Sequence, residues 1–156
     1  CILDYDIEVV DLIDYVIDAI HQSFNQSEDE IMKRLEVACK NPYVRHIAHP
    51  TGRIIGRRPG YKPNIEKLMK LAEETNTILE INANPKRLDL NAETVRKYPN
   101  VKLTINTDAH HTNHLEFMKY GVATAQKGFV AKDRVVNALS REEFKSLIEN
   151  NIKLRK

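Results

Sequence analysis

The sequence has no tryptophan, two cysteines, five glycines and six prolines, and each scarcity excludes something. Cys1 and Cys39 make no Cys-x-x-Cys and no metal-type spacing, and a disulfide framework needs more of them. Two free thiols of a reducing, cytoplasmic compartment are expected. So little glycine and proline rules out collagen-like or low-complexity structure. No apolar run approaches the roughly 18 residues that a membrane span needs. The opening CILDYDIEVVDLIDY is acidic and lacks the basic start of a secretory signal. A formal net charge of +2 is too small to argue for a polyanionic partner, so that case rests on local patches.

What is present is a globular composition, 42% apolar and 29% charged over 156 residues, which suits one domain spanning 1–156. Short β-branched runs that end in polar residues alternate with runs of helical period. Strands are predicted over 16–21, 44–50, 77–82 and 101–108, with a weaker fifth over 120–125. Helices are predicted over 27–39, 64–75, 91–98, 114–119, 132–139 and 141–152. The first opens with a capping box, Ser27 and Glu30, while Asn91 and Ser140 serve as caps further on. This alternation implies an α/β architecture of about five parallel strands with surrounding helices.

In such folds chemistry gathers at the C-terminal ends of the strands. His21, His49, Asn82 and Asp108 each fall at or beside a different strand end. Strand alternation puts Glu80 with Asn82 on one face, and Thr104 with Asn106 and Asp108 on one face. It sends His46 and His49 to opposite faces, and His49, at the strand end before Pro50, is chosen to look into the site. Taken singly, a strand-end His is commonly a hydrogen-bonded structural residue, an Asp a helix cap and an Asn-rich stretch a turn. Convergence on one rim is what makes a site. Imidazole nitrogen and carboxylate oxygen without thiolate suit divalent metals, and Asp108 and His110 can reach neighbouring ions from one loop. The loop TGRIIGRRPGYK (51–62) carries Arg53, Arg57, Arg58 and Lys62 and no acidic residue. Guanidinium forks favour phosphate, the alternative being a solvated basic loop. Lys86 and Arg87 can add to the same rim.

The strings IHQSFNQ (20–26), IAHPTGRIIGRR (47–58), LEINANPKRLDLN (79–91) and INTDAH (105–110) closely resemble the PHP (polymerase and histidinol phosphatase) domain at the C-terminus of bacterial family X DNA polymerases. The resemblance runs from Leu3 to about Asn150. It implies a partial (β/α)7 barrel of PHP type and metal-dependent phosphoesterase chemistry, seen in this family as 3′–5′ exonuclease-type trimming of DNA ends in repair. By matching motifs, His21 and His49 correspond to two histidines of one ion, Asp108 to a ligand of a second and His110 to a ligand of a third. Mn2+ is the first expectation for the metal, with Zn2+ or Fe as alternatives. Asp108, His110 and Arg53 are the expected catalytic residues. Arg53, Arg57, Arg58, Glu80, Asn82 and Asn84 are expected to bind substrate or phosphate. The implied partners are DNA and the remainder of a family X polymerase chain, in a bacterial cytoplasm and away from membranes.

The family's first His-x-His motif and other ligands do not occur in the sequence. The expectation is therefore the C-terminal portion of a PHP domain, with exposed strand edges, a tendency to form homo-oligomers, impaired metal binding and little activity of its own. Two other functions stay open at this point. One is a phosphomonoesterase of histidinol-phosphatase type. The other is a non-catalytic module that stabilises a polymerase and binds DNA.

Overall fold

The structure, a computed structural model, describes residues 7–10 and 12–155. Strands β1 (Val16–Asp18), β2 (Val44–Ile47), β3 (Ile78–Asn82) and β4 (Leu103–Asn106) form one parallel sheet in the order β1-β2-β3-β4. The helices are α1 (Ile7–Val10), α2 (Glu28–Lys40), α3 (Ile65–Glu74), α4 (Ala92–Lys97), α5 (Met118–Lys127) and α6 (Arg141–Arg155). A 3-10 helix, Thr112–Phe117, leads into α5, and two 3-10 turns span Lys132–Arg134 and Val136–Ala138.

Local chemistry explains the helix starts. The Ser27 hydroxyl accepts from the Glu30 amide, and the Glu30 carboxylate accepts from the Ser27 amide at 2.9 Å. Ser140 and Glu143 repeat this reciprocal box before α6, with bonds of 2.8 and 3.2 Å. The Asn64 and Asn91 side chains cap α3 and α4 by accepting from Lys67 and Thr94. Each cap satisfies amides that have no partner inside the helix.

The sheet has two unlike faces. One carries Ile47, Leu79, Ile81, Leu103 and Ile105 into the main core with Ile31, Leu35, Leu68, Met69 and Val95. Burial of this apolar surface is the main driving force for the fold. On the other face, Ile78 packs with Tyr15, Val136, Phe144, Leu147 and Ile148. Nearer the strand ends that face is polar: Glu80 pairs across to Thr104 and Asn82 to Asn106. The predicted grouping of Glu80 with Asn82 and of Thr104 with Asn106 matches this face.

Two predicted elements come out differently. Residues 120–125 are not a fifth strand but the middle of α5. The run YGVATA is short and apolar, and such runs read equally as strand or buried helix. The small residues decide the matter: Gly121 and Ala125 are buried and let α5 approach the sheet. A Cβ on Gly121 would lie 2.4 Å from Ile105 Cγ2. The predicted helix over 132–139 is two 3-10 turns, with Val135 between them bridging to Leu103 as a parallel strand would. Asn137 continues this pairing with its side chain: its amide donates to Ile105 O at 2.8 Å and its carbonyl accepts from Ile105 N at 3.1 Å. Arg134 donates to the carbonyls of Val95, Tyr98 and Val101. The outer edge of β4 is therefore covered where an open edge was expected. Among the described residues, β1 pairs with β2 alone.

Candidate functional site

His49 lies two residues beyond β2, where the chain takes a left-handed turn, φ 31°. Strand alternation has ended by then, so its direction is set by contacts. Its amide donates to Glu80 Oε2 at 2.7 Å, and its carbonyl accepts from the Tyr61 hydroxyl at 3.3 Å. Tyr61 is buried against Gly52, which sits at φ +62°; a Cβ there would fall 2.2 Å from Tyr61 Cε1. Phe24 stacks on Tyr61 with ring centroids 5.8 Å apart, and the Arg58 guanidinium lies 3.9 Å over the Phe24 ring. Arg34 binds Gln22 O and the Gln26 side chain at 3.0 and 2.8 Å. The turn that follows His21 and the loop that follows His49 are thus tied together by the Phe24–Tyr61 stack.

The consequence is a pair of imidazoles. His21 Nε2 and His49 Nε2 face each other at 3.4 Å. Two nitrogens on one tetrahedral ion with bonds of about 2.05 Å would stand about 3.3 Å apart. Burial pushes the His49 pKa down to about 4, with Arg87 acting the same way, so the ring is neutral near pH 7. Neutral imidazole is the form that ligates. His49 Nδ1 is buried and has no protein partner. The Nε2 separation and the neutral His49 ring fit a metal ion that takes His21 and His49 as two of its ligands.

His46 sits elsewhere. It is 1% exposed, and its Nε2 lies 2.9 Å from the Thr104 hydroxyl in the interior of the polar face. The expected alternation, His49 with Ile47 toward the site and His46 away from it, is not what parts them: Ile47 points into the apolar core, His46 lies on the polar face beside Thr104, and His49 is past the strand end, where its own contacts aim it.

Asp108 and His110 form a second group. Asp108, at φ 53°, pairs through Oδ2 with Arg87 Nε at 3.0 Å. His110 Nδ1 donates to Asp108 O at 2.7 Å. Because a carbonyl only accepts, Nδ1 is the donor, and Nε2 of this exposed ring is not engaged by that bond. Among the described residues, no three His, Cys, Asp or Glu side chains meet as one metal site. The histidine pair and the Asp108–His110 arm are separate donor groups on one rim.

Glu80, Asn82 and Asn84 support the rim from beneath. Glu80 is 4% exposed and accepts from His49 N, Asn82 Nδ2 and Asn106 Nδ2 at 2.7, 3.0 and 3.1 Å. Burial pushes its pKa up, and those hydrogen bonds oppose the shift. Asn82 is 0% exposed, and its side-chain oxygen accepts from Asn84 N at 3.0 Å. Asn84 in turn caps the Lys86 amide, so it shapes the turn.

The three loop arginines part company. Arg53 donates through Nε to Arg87 O at 2.6 Å and through a terminal nitrogen to Leu88 O. Arg58 donates to Gly52 O at 2.8 Å. Both side chains are engaged by the protein's own backbone. Arg57 is exposed and borders a cleft of about 370 Å3 with Lys86, Arg87, Asp108 and His110. Three residues that sequence reasoning did not place in the site help build it: Phe24, Tyr61 and Asp89. Asp89 is 1% exposed, and its Oδ2 accepts from the Thr51 amide and hydroxyl at 2.8 Å each. A lone aromatic or acid in a loop carries no periodic signal, so only the folded contacts reveal them.

Fold and rim together define a parallel α/β protein whose strand ends carry an imidazole pair and an arginine-paired aspartate beside a cationic cleft. The chain is similar to the DNA polymerase/3'-5' exonuclease PolX of Bacillus subtilis (strain 168), at 51% identity over 151 residues. The match covers 96% of this chain and 26% of that protein, so the chain spans about a quarter of its relative's length. No protein-family model matches the chain. No helix among the described residues is long and apolar enough to cross a membrane.

Proposed function

We propose that this chain is the C-terminal part of a PHP-type phosphoesterase unit in a bacterial family X DNA polymerase, trimming DNA 3′ ends in repair. The observation that carries this reading is the meeting of His21 and His49, Nε2 to Nε2 at 3.4 Å, on the same rim as Asp108 and His110. The relative's name, a polymerase with 3′–5′ exonuclease activity, points the same way. His21 and His49 would hold one divalent ion, with Asp108 and His110 offering donors to others; Mn2+ comes first, then Zn2+ or Fe. Such ions, when bound, lower the pKa of water and polarise a phosphodiester. Glu80 fixes the His49 backbone from beneath, and Tyr61 fixes it from the side. Arg57, Lys86 and Arg87 meet the phosphate charge in the cleft. Arg53 and Arg58 hold the loop that carries Arg57.

The test uses a polymerase chain that contains this segment, a 5′-labelled oligonucleotide and Mn2+. His49→Ala should abolish stepwise shortening from the 3′ end, and His46→Ala should leave it largely intact. Equal loss in both would mean that the pair acts only through stability. Turnover of a small phosphate monoester with no preference for DNA would replace the nuclease reading with a monoesterase.

A further inference from the structure

We propose that Ile55 is a strand-separating wedge, which parts the last base pair of a DNA duplex so that the 3′ end enters the cleft beside Asp108 and His110 unpaired. This deepens the reading above and rests on it. Ile55 is 53% exposed although its side chain is wholly apolar. It is also held on a fixed post. Ile54 and Arg58 exchange backbone hydrogen bonds of 2.8 and 2.7 Å, and Ile55 N donates to Lys86 O at 2.6 Å. Behind the tip, Arg58 is clamped to Gly52 O and over Phe24. Gly56 follows at φ +74°, with no atom within 4 Å of the position of a Cβ, so Ile55 stands unshielded on that side.

Ile55 also borders two open depressions that share the wall 54–57. One, of about 370 Å3, runs from Ile55 and Arg57 to Asp108 and His110. The other, of about 390 Å3, shares that wall and runs toward Arg53, Arg58 and Pro59. A parted base pair needs an apolar group against the exposed base and cations along the backbones, and Ile55 stands among both. Proteins that unstack DNA insert Ile, Leu or Phe between bases and flank them with basic residues. Taking a nucleotide out of the stack costs roughly a few kcal/mol, and an apolar group that replaces the lost stacking contact offsets part of that cost. The exposed side chains of Arg57 and Lys86 supply the basic flank, and 51–62 contains no acidic residue to oppose it.

The test mixes the chain at low salt with a blunt duplex carrying 2-aminopurine at one 3′ end, a base that brightens when unstacked. Binding is followed separately by the anisotropy of a distant dye. The bound chain should raise the fluorescence, while Ile55→Ala binds within about threefold of the same affinity yet loses most of the rise. Ile55→Leu should restore it. On a duplex whose 3′ end is mismatched, and so already frayed, the variants should behave alike. Duplex binding without a fluorescence rise, or a full rise with Ile55→Ala, overturns the wedge and leaves the DNA-binding reading standing. Failure of the chain to bind either duplex or single strand overturns both.

Discussion

His21 and His49 lie 28 residues apart in sequence and bring their Nε2 atoms within 3.4 Å across two strand ends. Neither ring is placed by strand geometry alone. The stack of Phe24 on Tyr61, and the hydrogen bonds from Tyr61 and to Glu80, hold the two loops in register. Two imidazoles at this separation can share a proton or share an ion, and the two cases differ in their response to metal.

Added Zn2+ or Mn2+ should therefore raise the melting temperature of the chain. At a free concentration of 100 times Kd the stabilisation would be about 2.7 kcal/mol. His21→Ala and His49→Ala should each lose this shift, and His46→Ala should keep it on a lower baseline. The measurement is thermal melting with and without metal. The same shift in all four chains would rule out the pair as the site.

The arginines should separate by assay. Arg57→Gln and Lys86→Gln should each reduce the slope of log affinity for DNA against log salt by about 1, because each removes one phosphate contact. Arg53→Gln should act on stability instead, since it strips a charged donor from the carbonyls of Arg87 and Leu88. A loss of about 1–3 kcal/mol is expected. An unchanged melting temperature with a flattened salt slope would assign Arg53 to phosphate.

Acid should weaken the fold through His46. Burial holds its pKa at about 4, against 6.5 for the free side chain. Between those values the unfolded chain binds a proton that the folded chain refuses. This contribution is fully present above pH 6.5 and is lost as pH falls toward 4. One proton gives a slope of about 1.4 kcal/mol per pH unit, and His49, also held at about 4, adds a second contribution of the same sign. Denaturant melts at several pH values between those limits should show it, and His46→Gln should cut the slope by about half, leaving the part that belongs to His49. An identical slope in the variant would show that His46 is not the group responsible.

Gly121→Ala should push α5 off the sheet. The new methyl would sit 2.4 Å from Ile105 Cγ2 and 2.7 Å from Ala83 Cβ. Overpacking of this kind costs about 1–3 kcal/mol. Gly56→Ala is the informative contrast, because it meets no atom within 4 Å and pays only for its positive φ. Melting both variants compares the two causes, and equal, small losses would contradict the close helix–sheet approach.

The sequence by itself determined what is periodic or local. The capping box at Ser27, the cap at Ser140, the apolar stripes of α2 and α3, and the four buried runs each announce themselves within a dozen residues. The parallel sheet follows from their alternation. It also determined that His21, His49 and Asp108 would stand near strand ends. Only the tertiary structure decided what those residues touch. Whether YGVATA is strand or helix depended on the space beside Ile105 that Gly121 fits. Asn137 replaces a strand with its side chain, a role that no propensity encodes. Glu80 and Asn82 were legible as inward and polar, but their burial and mutual hydrogen bonds were not. Arg53, Arg57 and Arg58 read alike in sequence because charge is a property of the residue. They diverge in the fold because a guanidinium goes to whichever acceptor lies within reach, and two of the three find a backbone carbonyl first. Contacts across 28 to 58 residues, such as His21 with His49 and His46 with Thr104, are set by chain closure and packing, and no local pattern carries them.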